Sequence, residues 1–211
     1  MHAILTGNGE KLSARFIRKW AKDADILAAA DGGAVQLARA GLTPDVVIGD
    51  LDSLPIALRK RLNPVSVVWQ KTQQNNDLEK ALTYLAQKGI TSCTLIGFTG
   101  GRWDFSFGNL LLLARFAKKM KLMLAGEGWQ FYVLCSSRRF TCPRGVRASL
   151  LPLTRCGGVS LKGFEYPLQG ASLPVGTTRT LSNKTTSQQV EVSLNKGVLG
   201  VYFETKCGFI F

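Results

Sequence analysis

The chain has 211 residues, 45% of them hydrophobic and 19% charged, which is enough apolar material for a buried core and excludes a disordered chain. Lys and Arg outnumber Asp and Glu 27 to 14, and the resulting charge of +13 attracts phosphates and other anions at neutral pH. The single histidine, His2, sets aside a Ser-His-Asp triad, a His-ligated zinc and a His general base, while five cysteines without a CxxC pair read as reduced thiols of a cytoplasmic protein.

In chain order, short apolar runs predict strands at 3–6, 26–30, 46–48, 65–69, 91–96 and 122–125, with helices between them. The clearest helix follows Asn76, where Leu78, Ala81, Leu82 and Leu85 recur at helical spacing before Gly89. Alternating strand and helix predict a mainly parallel sheet covered on both faces. After Gly126 the pattern changes to runs at 131–135, 147–151, 177–181, 190–194 and 198–203 separated by Gly, Pro and Asn-Lys-Gly turns, which predicts an antiparallel β region. All eight aspartates lie at or before Asp104, which supports the same division. The expected domains are therefore 1–126 and 127–211. The five residues from His2 to Thr6 are too few for a signal-peptide core, and no later run approaches membrane-spanning length, so the expectation is a soluble, unprocessed chain with no membrane partner.

The informative loops follow predicted strands. Ala30-Asp31-Gly32-Gly33 stands between a strand and the helical stretch 34–40, where turn amides and a helix N-terminus can meet an anion. A capping role for Asp31, with glycines permitting the turn, explains the same residues. Next, a strand empties into Gly49-Asp50-Leu51-Asp52-Ser53. At i, i+2 in extended geometry the two carboxylates share a face and repel unless a cation joins them. The four aspartates 31, 45, 50 and 52 read as a hard-cation site, and with no histidine at hand Mg²⁺ is the natural ion, arriving with substrate phosphates. Asp52-Ser53 capping a helix over 55–62 accounts for part of this. Asp77 sits in the first turn of the strongest helix, a place the helix dipole alone would favour. Gly97-Phe98-Thr99-Gly100-Gly101-Arg102-Trp103-Asp104 lets backbone N–H groups approach phosphate, with Arg102 adding a bidentate contact. It has neither the P-loop Lys-Ser/Thr ending nor GxGxxG spacing. Together these loops describe a Mg²⁺ and polyphosphate cleft and phosphoryl-type transfer.

The set ADGG, PDVVIGDLDS, NDLEKAL, GFTGGRWD and a late Leu181-Ser182-Asn183 resembles the thiamine pyrophosphokinase family over nearly the whole chain. The resemblance implies a Rossmann-like α/β nucleotide-binding domain followed by a β-sandwich domain that binds thiamine and dimerises, with active sites between subunits of a homodimer. It implies Mg²⁺-dependent transfer of pyrophosphate from ATP to the hydroxyl of thiamine, giving thiamine diphosphate and AMP. By motif, Asp50, Asp52 and Asp77 correspond to the catalytic, metal-holding carboxylates with Asp31 close by; that one of the clustered aspartates, Asp77 or Asp52, accepts the hydroxyl proton is a separate expectation from the chemistry of the attacking alcohol. Gly32, Gly33, Gly100, Gly101 and Arg102 correspond to nucleotide and phosphate contacts, and Asp104, Ser182 and Asn183 to thiamine contacts, the last two from the partner subunit. Phe105 stands where the family often has His, Lys184 where an acidic residue is common, and Gln73-Gln74-Asn75-Asn76-Asp77 where KDxTD is usual. Phe164 and Tyr166 read as core aromatics of the β domain, stacking on the thiazolium being the other reading. Two alternatives stand beside this one. A different heterocyclic alcohol could be the acceptor, or a nucleotide hydrolase could use the same cleft. Alternatively, clusters such as Arg138-Arg139 and Arg59-Lys60-Arg61 could bind nucleic acid, although no recognition motif focuses them and no sequence-specific binding is expected.

Overall fold

A computed structural model describes residues 1–50, 54–55, 58–59, 62, 67–69 and 74–204. The chain divides into two compact units, Met1–Leu112 with Lys119–Glu127, and Leu113–Lys118 with Gly128–Phe211.

The first unit runs β1 (His2–Thr6), α1 (Ala14–Ala21), β2 (Ile26–Ala30), α2 (Gly33–Arg39), β3 (Val46–Gly49), β4 (Val67–Trp69), α3 (Asp77–Gln87), β5 (Ser92–Ile96), α4 (Trp103–Phe116) and β6 (Lys121–Gly126). The last turn of α4 is counted with the second unit. The strand order is β6-β5-β1-β2-β3-β4, and every adjacent pair is parallel. Strands β1, β2 and β5 each carry four consecutive buried residues, as expected where helices cover both faces. Leu78, Ala81, Leu82 and Leu85 form the buried stripe of α3, each buried leucine contributing about 1.5–3 kcal/mol of apolar transfer free energy. Asn76 caps that helix, its Oδ1 accepting from Glu79 N at 2.9 Å, and Ser13 caps α1 in the same way through Phe16 N at 3.2 Å. The predicted helix over 55–62 lies largely outside the described residues.

The second unit contains β7 (Trp129–Leu134), β8 (Arg138–Thr141), β9 (Arg147–Pro152), β10 (Cys156–Lys162), β11 (Leu168–Leu173), β12 (Asn183–Lys184), β13 (Gln189–Ser193) and β14 (Leu199–Glu204). They form two antiparallel sheets, β12-β9-β14-β7 and β11-β10-β13-β8. Tyr132 and Phe203 from one sheet meet Phe140 of the other with ring centroids 4.9 and 5.1 Å apart, which makes the pair a sandwich with an aromatic centre. The strand expected at 177–181 does not form. That segment is turned, Thr177 N donating to Pro174 O and Leu181 N to Thr178 O, and only Thr180 reaches the neighbouring strand, exchanging hydrogen bonds with Leu150 at 2.7 and 2.9 Å. Strands β8, β10, β11 and the two-residue β12 lie outside the runs that the sequence marks. In β10 the Gly157-Gly158 pair mimics a turn, whereas left-handed Gly158 accompanies a register shift inside the strand.

His2 has a structural place. Its Nδ1 lies 2.9 Å from Ser92 Oγ and its Nε2 3.3 Å from Thr94 Oγ1, and burial lowers the imidazole below its ordinary 6.5. The folded state thus binds fewer protons than the unfolded one, so this contribution to stability is complete above pH 6.5 and is lost as pH falls through 6.5 toward the folded value. As the single histidine, its ring resonances should titrate in NMR with a midpoint below 6.5, and His2→Gln should flatten the acid-side loss of stability. A midpoint above 6.5 would contradict the burial argument. Among the described residues no helix is long and apolar enough to cross a membrane.

Candidate active site

From β1 the chain builds β2, β3 and β4 on one side, then returns to add β5 and β6 on the other. The connections leaving β1 and β5 therefore diverge, and a crevice opens at their carboxyl ends, the ordinary ligand position in an open parallel sheet. Here a cleft of about 510 Å³ is lined by Gly7, Asn8 and Gly9 after β1 and by Ala30, Asp31 and Gly32 after β2. Its other walls are Asn76, Asp77 and Leu78 opening α3, the turn after β5 from Gly97 to Arg102, and Phe105 and Asn109 of α4.

Hydrogen bonds stitch these turns together. Gly7 N donates to Ile96 O at 2.8 Å and Gly9 N to Gly97 O at 2.7 Å, extending the β1–β5 pairing into the rim. Buried Gln36 of α2 donates from Nε2 to Gly7 O at 2.8 Å and Glu10 O at 3.0 Å, and its Oε1 accepts from Leu12 N at 3.0 Å. Thr99 Oγ1 donates to Glu10 Oε1 at 2.8 Å, tying the β1 loop to the β5 turn, while burial pushes the Glu10 carboxyl upward.

The carboxylates are arranged unequally. Asp31 is 5% exposed, takes a left-handed backbone with φ 38°, and its Oδ1 is buried without a hydrogen-bond partner. The cap position of α2 is Gly32 and makes no side-chain capping bond, so the capping role weighed for Asp31 does not hold. Asp77 is half-buried, and its carboxyl is raised first by burial and further by the charges of Asp31 and Asp50. Against these acts Lys80, one turn along α3 and 4% exposed, whose Nζ stands 3.2 Å from Asp77 Oδ1. Asp52 lies outside the described residues. Asp45 is a correction to the sequence reading. It precedes β3 while Asp50 follows it, so four residues of strand, roughly 13 Å at about 3.3 Å each, separate it from the cluster. Its Oδ2 instead accepts from Leu27 N at 2.7 Å, closing the entrance of β2.

A divalent cation fits this donor set. A buried carboxylate oxygen without a donor costs free energy, and the charges of Asp31 and Asp50 both act against the ionised form of Asp77. Among the described residues no three such side chains close into a metal cage. An ion of the Mg²⁺ type is held by one or two carboxylates together with substrate phosphates.

The remaining expected site residues are placed as follows. Gly32, Gly100, Gly101 and Arg102 line the cleft, whereas Gly33 packs beneath it against the end of β1. Arg102 grips Asp104 through both Nε and Nη2, and its guanidinium lies 4.5 Å over the Phe105 ring. The Arg102 guanidinium holds the exposed Asp104 carboxyl below the usual range. In the second unit, Ser182 has φ 56° and donates its N–H to Ser149 Oγ at 3.0 Å. Buried Asn183 accepts from Tyr166 N at 3.0 Å and donates to Tyr166 O at 2.8 Å, clamping that backbone and leaving the Tyr166 ring 63% exposed. Phe164 is a core aromatic as expected, and Tyr166 is not. The sequence reading missed Gly7-Asn8-Gly9, a strand-end glycine turn of the same type as those it used. It also missed Gln36, Lys80 and Asn109, which carry no local signal.

A parallel sheet whose switch-point cleft gathers glycine amides, carboxylates and a guanidinium defines an α/β enzyme that acts on a phosphate-bearing substrate. Residues 17–124 match the model of the thiamin pyrophosphokinase catalytic domain, and residues 142–199 that of the thiamin pyrophosphokinase vitamin B1 binding domain. The thiamine pyrophosphokinase of Bacillus subtilis is 29% identical over 176 residues, covering 80% of this chain and 82% of that protein. Crystal structures of the thiamine pyrophosphokinases of Bacillus subtilis and Geobacillus thermodenitrificans are similar, with TM-scores of 0.86 and 0.82 at 24% and 25% identity. They cover 98% and 100% of this chain and 100% of each relative. The chain belongs to the thiamin pyrophosphokinase family, enzymes that move pyrophosphate from ATP to thiamine.

Proposed function

We propose that the β1–β5 cleft holds the triphosphate of ATP and that Mg²⁺ is held on it by the phosphates with one or two of the carboxylates Asp31, Asp50 and Asp77, joined by Asp52 of the same motif. The observation that carries this is the buried, unpartnered Oδ1 of Asp31, which lines a glycine-rich cleft together with Asp77, whose carboxyl the nearby charge of Asp50 also raises. The ion, when bound, supplies charge neutralisation for the developing negative charge on phosphate. The protein does the rest by position. Amides of Asn8 and of the Gly100-Gly101 turn face phosphate oxygens, and Arg102 exchanges its bidentate carboxylate partner for a bidentate phosphate. Asp104, released from Arg102, then presents a full negative charge to the cationic thiazolium. A primary alcohol attacking phosphorus needs in-line placement more than covalent help, so the lack of a catalytic histidine costs little.

Ser182 and Asn183 serve thiamine from the second unit of a partner subunit in a homodimer. Trp103, Phe107 and Leu111, 80%, 58% and 44% exposed, recur at i, i+4 and i+8 along α4 as an apolar stripe suited to such an interface. Cys93, Cys135, Cys142 and Cys156 are free thiols, which accords with a cytoplasmic protein. Mixing the protein with ATP, Mg²⁺ and thiamine should yield AMP and thiamine diphosphate in equal amounts, and chelating the metal should stop both. ADP as product, or turnover independent of thiamine, overturns the reading. Sedimentation should give twice the chain's mass, with Phe107→Lys shifting it toward the monomer; a monomeric active enzyme refutes the shared site.

A further inference from the structure

We propose that Asn109 and Asn76 are positioning residues, an amide relay that locks the turn after β5 to the helix turn carrying Asp77. Asn109 is 5% exposed within α4; its Nδ2 donates to Phe98 O at 2.9 Å, and its Oδ1 accepts from Asn76 Nδ2 at 3.2 Å. Asn76 Oδ1 in turn accepts from Glu79 N at 2.9 Å in the first turn of α3. The two ends fix the polarity of the whole chain. A carbonyl can only accept and a backbone N–H can only donate, so Asn109 must turn its NH₂ to Phe98 and its oxygen to Asn76, and Asn76 must turn its NH₂ to Asn109 and its oxygen to the Glu79 N–H of α3. Neither amide has a second orientation, and a chain of aligned amides in a buried setting strengthens each link. Phe98 lies between the strand end and Gly100-Gly101, and Asp77 is the residue next to Asn76, so the relay spans the cleft floor from phosphate turn to carboxylate. It sets the distance between the two walls that a metal-bound triphosphate must bridge. The inference rests on the cleft being the nucleotide site.

A merely structural account makes Asn76 a helix cap and nothing more, and the two accounts part at Asn76→Ser. Serine caps a helix as well as asparagine does but is too short to donate to Asn109. The variant should keep the cap and lose only a few degrees of melting temperature without ligand, the effect of Asn109 Oδ1 losing its donor. Its kcat should fall about tenfold with the thiamine KM unchanged, the scale of one misplaced hydrogen-bonded group. The concentration of Mg²⁺ with α,β-methylene-ATP giving half-maximal thermal stabilisation should rise by a similar factor. Asn109→Ser also takes the donor from Phe98 O and should lose more stability, but its kcat should fall at least as far, and the double variant should have a kcat no lower than the worse single one, because both break the Asn76–Asn109 link. Wild-type kcat and wild-type stabilisation in Asn76→Ser overturn the relay, as do losses that multiply in the double variant. If the wild-type protein itself gains no stability from Mg²⁺ and the analogue, the nucleotide reading of the cleft fails, and the relay's role fails with it.

Discussion

Asp31→Asn should lower turnover by on the order of 10³-fold while raising thermal stability, because the carboxylate oxygen proposed to serve a metal-bound phosphate is a liability without it. Asp31 Oδ1 is buried without a donor, and its charge adds to the forces that push Asp77 toward protonation. Asparagine keeps the shape, removes the charge, and is among the few side chains that tolerate a left-handed backbone such as the φ of 38° found here. Relief of the buried charge is worth about 1 kcal/mol, or about 2–4 °C in a chain of this size. Asp31→Ala separates charge from backbone. It loses the charge too but carries a side chain disfavoured at positive φ, so its melting temperature should lie below that of Asp31→Asn. Calorimetry of both variants with a steady-state assay checks the pair of effects. Wild-type turnover in Asp31→Asn, or a lower melting temperature than wild type, would remove the central carboxylate from the account.

The largest stability loss is expected at Gly33→Ala. A Cβ placed there would stand 1.9 Å from Thr6 O and 2.6 Å from Thr6 C, both backbone atoms of β1 inside the six-stranded sheet. Neither can give way, so α2 must lift off β1 at a cost of about 2–4 kcal/mol. The displaced atoms adjoin Gly7 and Gly32 of the cleft, so surviving protein should also show a raised KM for ATP. Gly41→Ala is the control. It sits just past the same helix with φ 73°, and an added Cβ would meet nothing within 4 Å, so it bears only the conformational penalty of about 1 kcal/mol. Equal losses at the two positions would show that backbone strain, and not close approach, governs Gly33.

Much of the fold was legible because parallel strands are buried on both faces and read as continuous apolar runs. The limits of β2 at Ile26–Ala30 coincide with the reading, and β1, β3, β5 and β6 differ from it by a residue or so. The second unit was less legible. There strand residues alternate exposure, as in β8 with Phe140 alone buried, and the turned segment around Thr180 has the same β-branched composition as a strand. The Asp31-Gly32 and Gly100-Gly101-Arg102 portions of the candidate site were visible because each follows a strand at a glycine turn. Asp45 misled because composition counts carboxylates without saying at which end of a strand they stand.

Residue order alone settles the chemistry available to this protein: carboxylates and glycine turns at strand ends, an excess of cations and no histidine free for catalysis. Those properties reside in residue type and in separations of one to three positions, which chain geometry fixes locally. Which groups meet is a matter of packing. The folded chain joins the β1 loop to the β5 turn across about 90 residues, sets Lys80 against Asp77 and Arg102 against Asp104, and leaves one oxygen of Asp31 without a donor. Strand order in a parallel sheet depends on crossovers packed from distant parts of the chain. The partners of a buried polar group are therefore set by contacts between those parts, and no local pattern carries them.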